Sequence, residues 1–245
     1  MWNMGLAQLE LATGLNKIEV AIERLRQYCS GVIPWLAFGG GKDSIAIYDL
    51  AQITKIPFEA HYAQTGIDPP ELVQFIRAEY PSVIFERPLM TMWRGIEEKG
   101  LPHRHKRWCC EKLKHHCGKD RLRITGVRWA ESPARRRYRI YNHMKPGDEI
   151  CPIIDWSNEE VWEYIKLRNL KYCSLYDEGF KRLGCMICPL ASTPNRQREA
   201  QRYPKILEAY KRANRRHFER NKLGSVKDAD EYFIHWLEFN PYSSL

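Results

Sequence analysis

Two groups of residues have the types and spacing to do chemistry. The first is Gly39-Gly40-Gly41-Lys42-Asp43-Ser44, which follows the apolar run Val32–Phe38 and opens a stretch of helical character. Between a strand and a helix, glycines let backbone N–H groups approach an anion, and the helix N-terminus adds its dipole. Lys42 contributes a point charge, Ser44 a hydroxyl, and Asp43 a carboxylate that can orient the lysine or hold a magnesium ion. The expected chemistry is the gripping of a phosphate chain. A Walker A loop is excluded, because Leu36 stands where its first glycine belongs and Asp43 where serine or threonine should follow the lysine.

The second group is sulfur. Of eight cysteines, Cys109 and Cys110 are adjacent, and Cys185 and Cys188 form a C-x-x-C before Pro189. Four such thiolates can hold a tetrahedral zinc ion or an iron–sulfur cluster. The adjacent pair strains simple tetrahedral chelation and favours the cluster, with zinc as the alternative. Cys173, close in sequence to the C-x-x-C, is a rival fourth ligand. Cys29, Cys117 and Cys151 read as buried core thiols.

The elements that must position these groups alternate in type. Apolar periodicity predicts a helix over 4–29, interrupted at Gly14, and further helices over 44–51 and about 69–79. Strands are expected at 32–38, 58–63, 82–86 and 121–126, so the pattern implies a parallel sheet covered on both faces. Ser157 and Glu160 form a capping-box pattern that starts another helix, and a basic helical stretch runs from Asn195 to Arg220. The expected division is an N-terminal helical segment (1–30), a nucleotide-binding domain carrying the cysteines (31–189) and a basic helical appendage (190–245).

Composition narrows the class. With 44% hydrophobic and 28% charged residues among 245, the chain is neither disordered nor fibrous. Lys and Arg outnumber Asp and Glu 39 to 30, a formal charge of +9 that suits polyanionic partners. No apolar run reaches membrane-span length and the N-terminus lacks a signal-peptide layout, so a cytoplasmic protein without membrane contact is expected. Basic clusters at 104–107 and 135–139 interleave with the motif residues, and Trp108, Trp129 and Tyr138 are available for base stacking. A third cluster, 211–216, reads as solvated helix surface.

On these residues the chain resembles the PP-loop adenine nucleotide alpha-hydrolase superfamily, within it the phosphoadenosine phosphosulfate (PAPS) reductase-like family. Gly40-Gly41-Lys42-Asp43-Ser44 is similar to the PP-loop S-G-G-x-D-S, with Gly39 in place of its serine. Thr65-Gly66 with Pro70-Glu71, Gly126-Val127-Arg128 with Glu131-Ser132 and Arg135, and Pro152-Ile153-Ile154-Asp155-Trp156 resemble further family segments, as does the CC…CxxC set. The resemblance implies an α/β, Rossmann-like, doubly wound and mainly parallel sheet, with a helical, cysteine-bearing C-terminal appendage. It implies ATP and Mg²⁺ bound by residues 39–44, Thr65, Gly66, Gly126 and Arg128, with Lys42, Asp43 and Arg128 catalytic. It further implies an acceptor held by Arg107, Glu131, Arg135 and Arg136, and a 4Fe-4S cluster on Cys109, Cys110, Cys185 and Cys188.

Sulfonucleotide reductases of this family attack sulfate with the cysteine of an E-C-G-L-H motif, whereas no cysteine follows Cys188 in this sequence. The chain is therefore closest in character to the iron–sulfur ATP pyrophosphatases of DNA phosphorothioation systems, and more distantly similar to iron–sulfur tRNA thiolases. That resemblance implies adenylation of a nucleic-acid backbone phosphate with pyrophosphate release, then sulfur insertion from a cysteine desulfurase or other donor. DNA is favoured over tRNA, and a homo-oligomer is left open. The alternatives are an adenylyl-sulfate or phosphoadenylyl-sulfate reductase that takes its thiol from elsewhere, and a noncatalytic zinc-bearing nucleotide- or nucleic-acid-binding module.

Overall fold

A computed structural model describes residues 5–7, 14–144 and 147–239, in two compact units. The expected helix over 4–29 falls partly at 4 and 8–13, outside the described residues; its described part begins at Lys17. The helices are α1 (Lys17–Cys29), α2 (Lys42–Thr54), α3 (Pro70–Glu79), α4 (Met92–Lys99) and α5 (Trp108–Leu113), then α6 (Asn158–Leu167), α7 (Thr193–Arg202), α8 (Pro204–Asn221) and α9 (Val226–Phe239). The strands are β1 (Trp35–Ala37), β2 (Glu59–Ala63), β3 (Ile84–Glu86), β4 (Arg123–Ile124), β5 (Tyr141–Asn142) and β6 (Glu149–Ile150).

The six strands of the described residues lie in the first unit, which takes in the described residues up to 63, 70–86 and those of 117–183. Their order is β3-β2-β1-β4-β6-β5, parallel throughout except for β5 against β6. The α/β fold with a mainly parallel sheet is therefore as the sequence implied. The direction of winding reverses between β1 and β4, and in such sheets the crevice beyond that reversal is where ligands bind. β1 is shorter than the apolar run 32–38 because Pro34 has no N–H to give a ladder, and Val32 and Ile33 before it are exposed. Leu36, Phe38, Ile45, Ile47, Ile124, Ile150 and Trp156 fill the core beneath the loop that follows β1.

Two capped helices fix the edges of this unit. Asn16 accepts hydrogen bonds from Ile18 and Glu19 while Glu19 accepts one from the Asn16 amide, and the expected Ser157–Glu160 box caps α6 in the same reciprocal way. α1 is fastened by its own cations: Arg24 makes two bonds to Asp155 (2.7 and 3.0 Å) and Lys17 reaches Glu160 at 2.7 Å.

The second unit combines 64–69, 87–116 and the described residues from 184 to 239. Compactness thus does not follow divisions at 30/31 and 189/190, because α4 and α5 pack with the C-terminal helices. Met92, Ile96, Trp108, Leu113, Tyr210, Phe233 and Trp236 form a separate apolar core. The basic stretch expected as one helix is two, since Pro204 lacks an N–H and starts α8 as its first residue. Two of its cations are paired while remaining exposed to solvent: Arg215 pairs with Asp230 at 2.6 Å and Arg216 with Glu97 at 2.8 Å.

Candidate nucleotide loop and cysteine centre

The glycine loop sits at the reversal of the sheet, ahead of α2. Gly40 has φ +69°, and a Cβ there would come within 2.7 Å of Leu72 and Ile76 methyl carbons, so only glycine fits. Gly41 is the N-cap of α2 and has no side chain to satisfy the first-turn amides. The Lys42 amide donates to Tyr176 Oη (3.0 Å), and Ser44 Oγ donates to the Gly41 carbonyl (2.8 Å).

One carboxylate joins two buried cations here. Asp43 Oδ2 lies 2.9 Å from Lys42 Nζ, and its Oδ1 lies 2.7 Å from Arg128 Nε. Lys42 and Arg128 are only 6% and 4% exposed, and two cations around one carboxylate leave the site with a surplus positive charge for an anion. Arg128 is aimed by Nη1 donation to the Trp156 carbonyl (3.2 Å). Gly126 permits this approach, because a Cβ there would lie 3.0 Å from Asp43 Cβ and 3.1 Å from its backbone carbon. Partial desolvation, then the negative charge of Asp43, pushes the Glu131 carboxyl above the usual range.

Around this core the first unit places Arg135, whose guanidinium lies over the Tyr138 ring at 4.7 Å and 3.7 Å from Glu131, and Arg136, exposed beside Trp129. Arg107, expected to share the acceptor, is the N-cap of α5 in the second unit. Thr65 and Gly66, expected at the nucleotide, belong to the second unit as well.

Within that second unit Cys109, Cys110, Cys185 and Cys188 line one small cavity of about 30 Å³, with Ile67, Met92 and Tyr210 as apolar walls. The Cys185 thiol donates to Thr65 Oγ1 (3.6 Å), which itself donates to Asp68 Oδ2 (2.8 Å). The C-x-x-C loop is held from several sides: Met186 N–H bonds the Ile67 carbonyl, Ile187 N–H the Glu199 carboxylate (2.6 Å), and Tyr210 Oη the Met186 carbonyl. A hydrogen bond with Cys110, then burial, raises the Cys109 thiol, and burial raises Cys185 against the pull of Lys114. The Lys114 ammonium is held above its ordinary range chiefly by Cys185. Arg196, fully buried on α7 against the Trp236 ring (4.4 Å), leaves Nε and Nη1 without hydrogen bonds among the described residues, and burial pulls it down to about 10.

With loop, sheet order and cysteine set in place, the likeness to known proteins is specific. The phosphoadenosine phosphosulfate reductase domain model matches residues 33–191. The chain belongs to this family. Among relatives, adenosine 5'-phosphosulfate reductase 2 of Bacillus subtilis (strain 168) is 28% identical over 80% of this chain and 89% of its own length. Two uncharacterised Methanocaldococcus jannaschii proteins are 28% and 29% identical over 77% and 71% of this chain, which spans only 43% and 46% of theirs. Among solved structures, the PAPS reductase of Candida auris in its phosphate complex is 19% identical with a TM-score of 0.52, covering 67% of this chain and 87% of that one, a likeness of fold.

For this PAPS reductase-family chain the four convergent thiols can be tested against the groups they could hold. A single zinc ion with Zn–S of about 2.3 Å needs sulfurs roughly 3.8 Å apart. Among the described residues, no three of these sulfurs gather mutually within 4.8 Å. The wider spacing, the apolar wall and the nearby cations Lys114 and Arg196 fit an anionic multinuclear cluster better than one ion. Cys173 lies in the core of the first unit, as does Cys29, and Cys117 and Cys151 are likewise buried. Lys114 escaped sequence reading although i, i+4 spacing from Cys110 puts both on one helical face. Glu199, Arg196 and Tyr210 lie beyond residue 191, where no motif announced them.

Proposed function

We propose that this family member is an ATP pyrophosphatase that adenylates an acceptor, a nucleic-acid backbone phosphate, to prepare it for sulfur insertion. The observation that carries the reading is the loop 39–44, in which buried Lys42 and an Asp43 shared with buried Arg128 meet at the glycine-capped start of α2. That arrangement suits a leaving pyrophosphate. An acceptor oxygen attacks the ATP α-phosphate, the α–β bridging bond breaks, and Lys42 with the loop amides takes up the charge that develops on the departing group. Arg128 holds Asp43 toward the phosphates, where Asp43 is the carboxylate to hold Mg²⁺. Glu131, with its raised pKa beside Asp43, Arg135 and Arg136 are the groups for orienting the acceptor. The terminal sulfur of a persulfide on a donor such as a cysteine desulfurase then attacks the activated acceptor phosphorus and displaces AMP, and a dithiol reductant cleaves the remaining S–S bond, leaving sulfur on the phosphate and freeing the donor thiol.

The four cysteines are the ligands for a 4Fe-4S cluster, which when bound supplies redox or sulfur-handling chemistry. The protein's own contribution there is an apolar wall, the Thr65–Asp68 hydrogen-bond relay to Cys185 and the cations Lys114 and Arg196. Removing any of the four thiols is expected to lower bound iron while leaving the loop of the first unit intact.

A second reading rests on the relatives named adenosine 5'-phosphosulfate reductase, which this chain matches along 80% of its length. In it the same loop holds the phosphate of adenylyl sulfate and a thiol from another source attacks sulfur. Offering the anaerobically purified protein ATP with nucleic acid in one reaction and adenylyl sulfate with a dithiol in another separates the two. Pyrophosphate in the first supports the proposal; sulfite in the second, with no pyrophosphate in the first, supports the reductase.

A further inference from the structure

A second cavity in the second unit is unrelated to the cysteines. A cavity of about 420 Å³ lies where α4 ends, walled by Lys99, His105, Lys106, His217, Phe218 and Tyr232 among others. That size falls within the range of small-molecule sites. No carboxylate lines it.

Its polar groups are held in place by the surrounding backbone. His103 and Lys106 exchange two backbone hydrogen bonds (3.3 and 3.2 Å), which close the turn presenting Arg104, His105 and Lys106 to solvent. His217 Nδ1 lies 3.1 Å from both the Glu97 carbonyl and Asn221 Nδ2, and its Nε2 edge stands in the cavity wall, 3.0 Å from where a Cβ on Gly100 would be. The Lys99 and Lys106 ammonium groups form no ion pair among the described residues. Two ammonium groups without an ion pair, beside an imidazole and in a wall lined by no carboxylate, call for an anion. Phe218 and Tyr232 on the same wall offer flat apolar faces to a ring, and Tyr232 is fixed by its hydroxyl at 3.0 Å from His103 Nε2.

We infer that this cavity binds a nucleotide unit, with phosphate at Lys99 and Lys106 and base against Phe218 and Tyr232. The unit is either a free mononucleotide or one residue of a single strand. His217, Phe218 and Tyr232 lie beyond the family match at residue 191, so the site is formed by the C-terminal helices on a family framework. The inference rests on the adenylation reading for its link to an acceptor strand: the cavity gives that strand an anchor in the second unit.

The test uses the full chain with Lys42→Ala, so that the loop of the first unit contributes little. Binding of a fluorescein-labelled single-stranded hexanucleotide is followed by anisotropy, alone and against AMP or inorganic phosphate. The inference predicts that adding Lys99→Glu and Lys106→Glu weakens binding at least tenfold and makes the log–log salt dependence shallower by about 1.4, two phosphate contacts on a single strand. Phe218→Ala is expected to weaken binding severalfold with the salt slope unchanged. Since Lys99 and Lys106 are exposed, the charge variants should keep their melting temperature. Competition by AMP identifies a free mononucleotide as a ligand, and strand binding without AMP competition identifies the strand. Binding indifferent to both lysines, displacement by phosphate as effective as by AMP, or no binding at all overturns it. Pyrophosphate release is not read in this experiment, so its outcome and that of the adenylation reading stand apart.

Discussion

Arg128 Nε lies 2.7 Å from Asp43 Oδ1 while its Nη1 reaches the Trp156 carbonyl at 3.2 Å, so one buried guanidinium ties the glycine loop to the segment between β6 and α6. A lysine can supply charge but not this fork. Arg128→Lys is therefore expected to lower kcat for pyrophosphate release roughly 10²-fold with a small change in stability, the usual scale for losing one preorganised electrostatic contact. Asp43→Asn removes the shared carboxylate from two buried cations and is expected to cost more. Steady-state kinetics with thermal melts checks both.

The two chemical groups belong to different units, and their losses should separate accordingly. Cys185→Ser is expected to reduce bound iron severalfold in anaerobic preparations while the Kd for ATP stays within twofold. Lys114→Met should leave iron bound but shift the cluster absorption or reduction potential, because it removes a cation held beside Cys185. Iron analysis, visible spectra and nucleotide titration read these outcomes. Zinc with no iron would favour the noncatalytic module instead.

Much of this was legible in the sequence, and the reason is local. The strand–glycine–helix context of Gly39–Ser44, the Ser157–Glu160 box and the alternation of strands and helices are written within a few residues of one another. What was missed depends on tertiary placement. No pattern around Asp155 tells that its partner is Arg24, 131 residues earlier, and none tells that α7 supplies Glu199 and Arg196 to the C-x-x-C loop. Boundaries suffered from the same cause. Residues 64–69 and 87–116 join the C-terminal helices through an apolar core whose members are scattered from Ile67 to Trp236.

The Arg24–Asp155 pair is 12% and 18% exposed and makes two hydrogen bonds, and Arg24 also donates to the Pro152 carbonyl. Arg24→Ala strands a largely buried carboxylate and is expected to cost about 2–4 kcal/mol. For a chain this long, the loss lowers Tm by roughly 4–16 °C. Arg128 takes its orientation from Trp156 in the same segment, so activity at low temperature should fall as well. Differential scanning fluorimetry and kinetics of the variant check both effects.

Burial raises the Cys29 thiol to about 11 and the Cys151 thiol to about 12. A thiol raised in the folded state keeps its proton where the unfolded chain has lost it. The stability it contributes is full below pH 9 and is lost as pH rises toward 11 and 12. Cys151→Ala is expected to flatten the fall of Tm above pH 9. In the native state at pH 8, Cys29 and Cys151 should resist iodoacetamide, read by peptide mass spectrometry after a short pulse.

The most direct measurement is pyrophosphate release from ATP by anaerobically purified protein, with double-stranded DNA, with tRNA and with neither, comparing the unaltered chain with Lys42→Ala. The account predicts release stimulated by one nucleic acid, DNA before tRNA, and reduced at least 10²-fold in the variant. No release with any acceptor, together with sulfite from adenylyl sulfate, would contradict it and leave the loop a sulfonucleotide site.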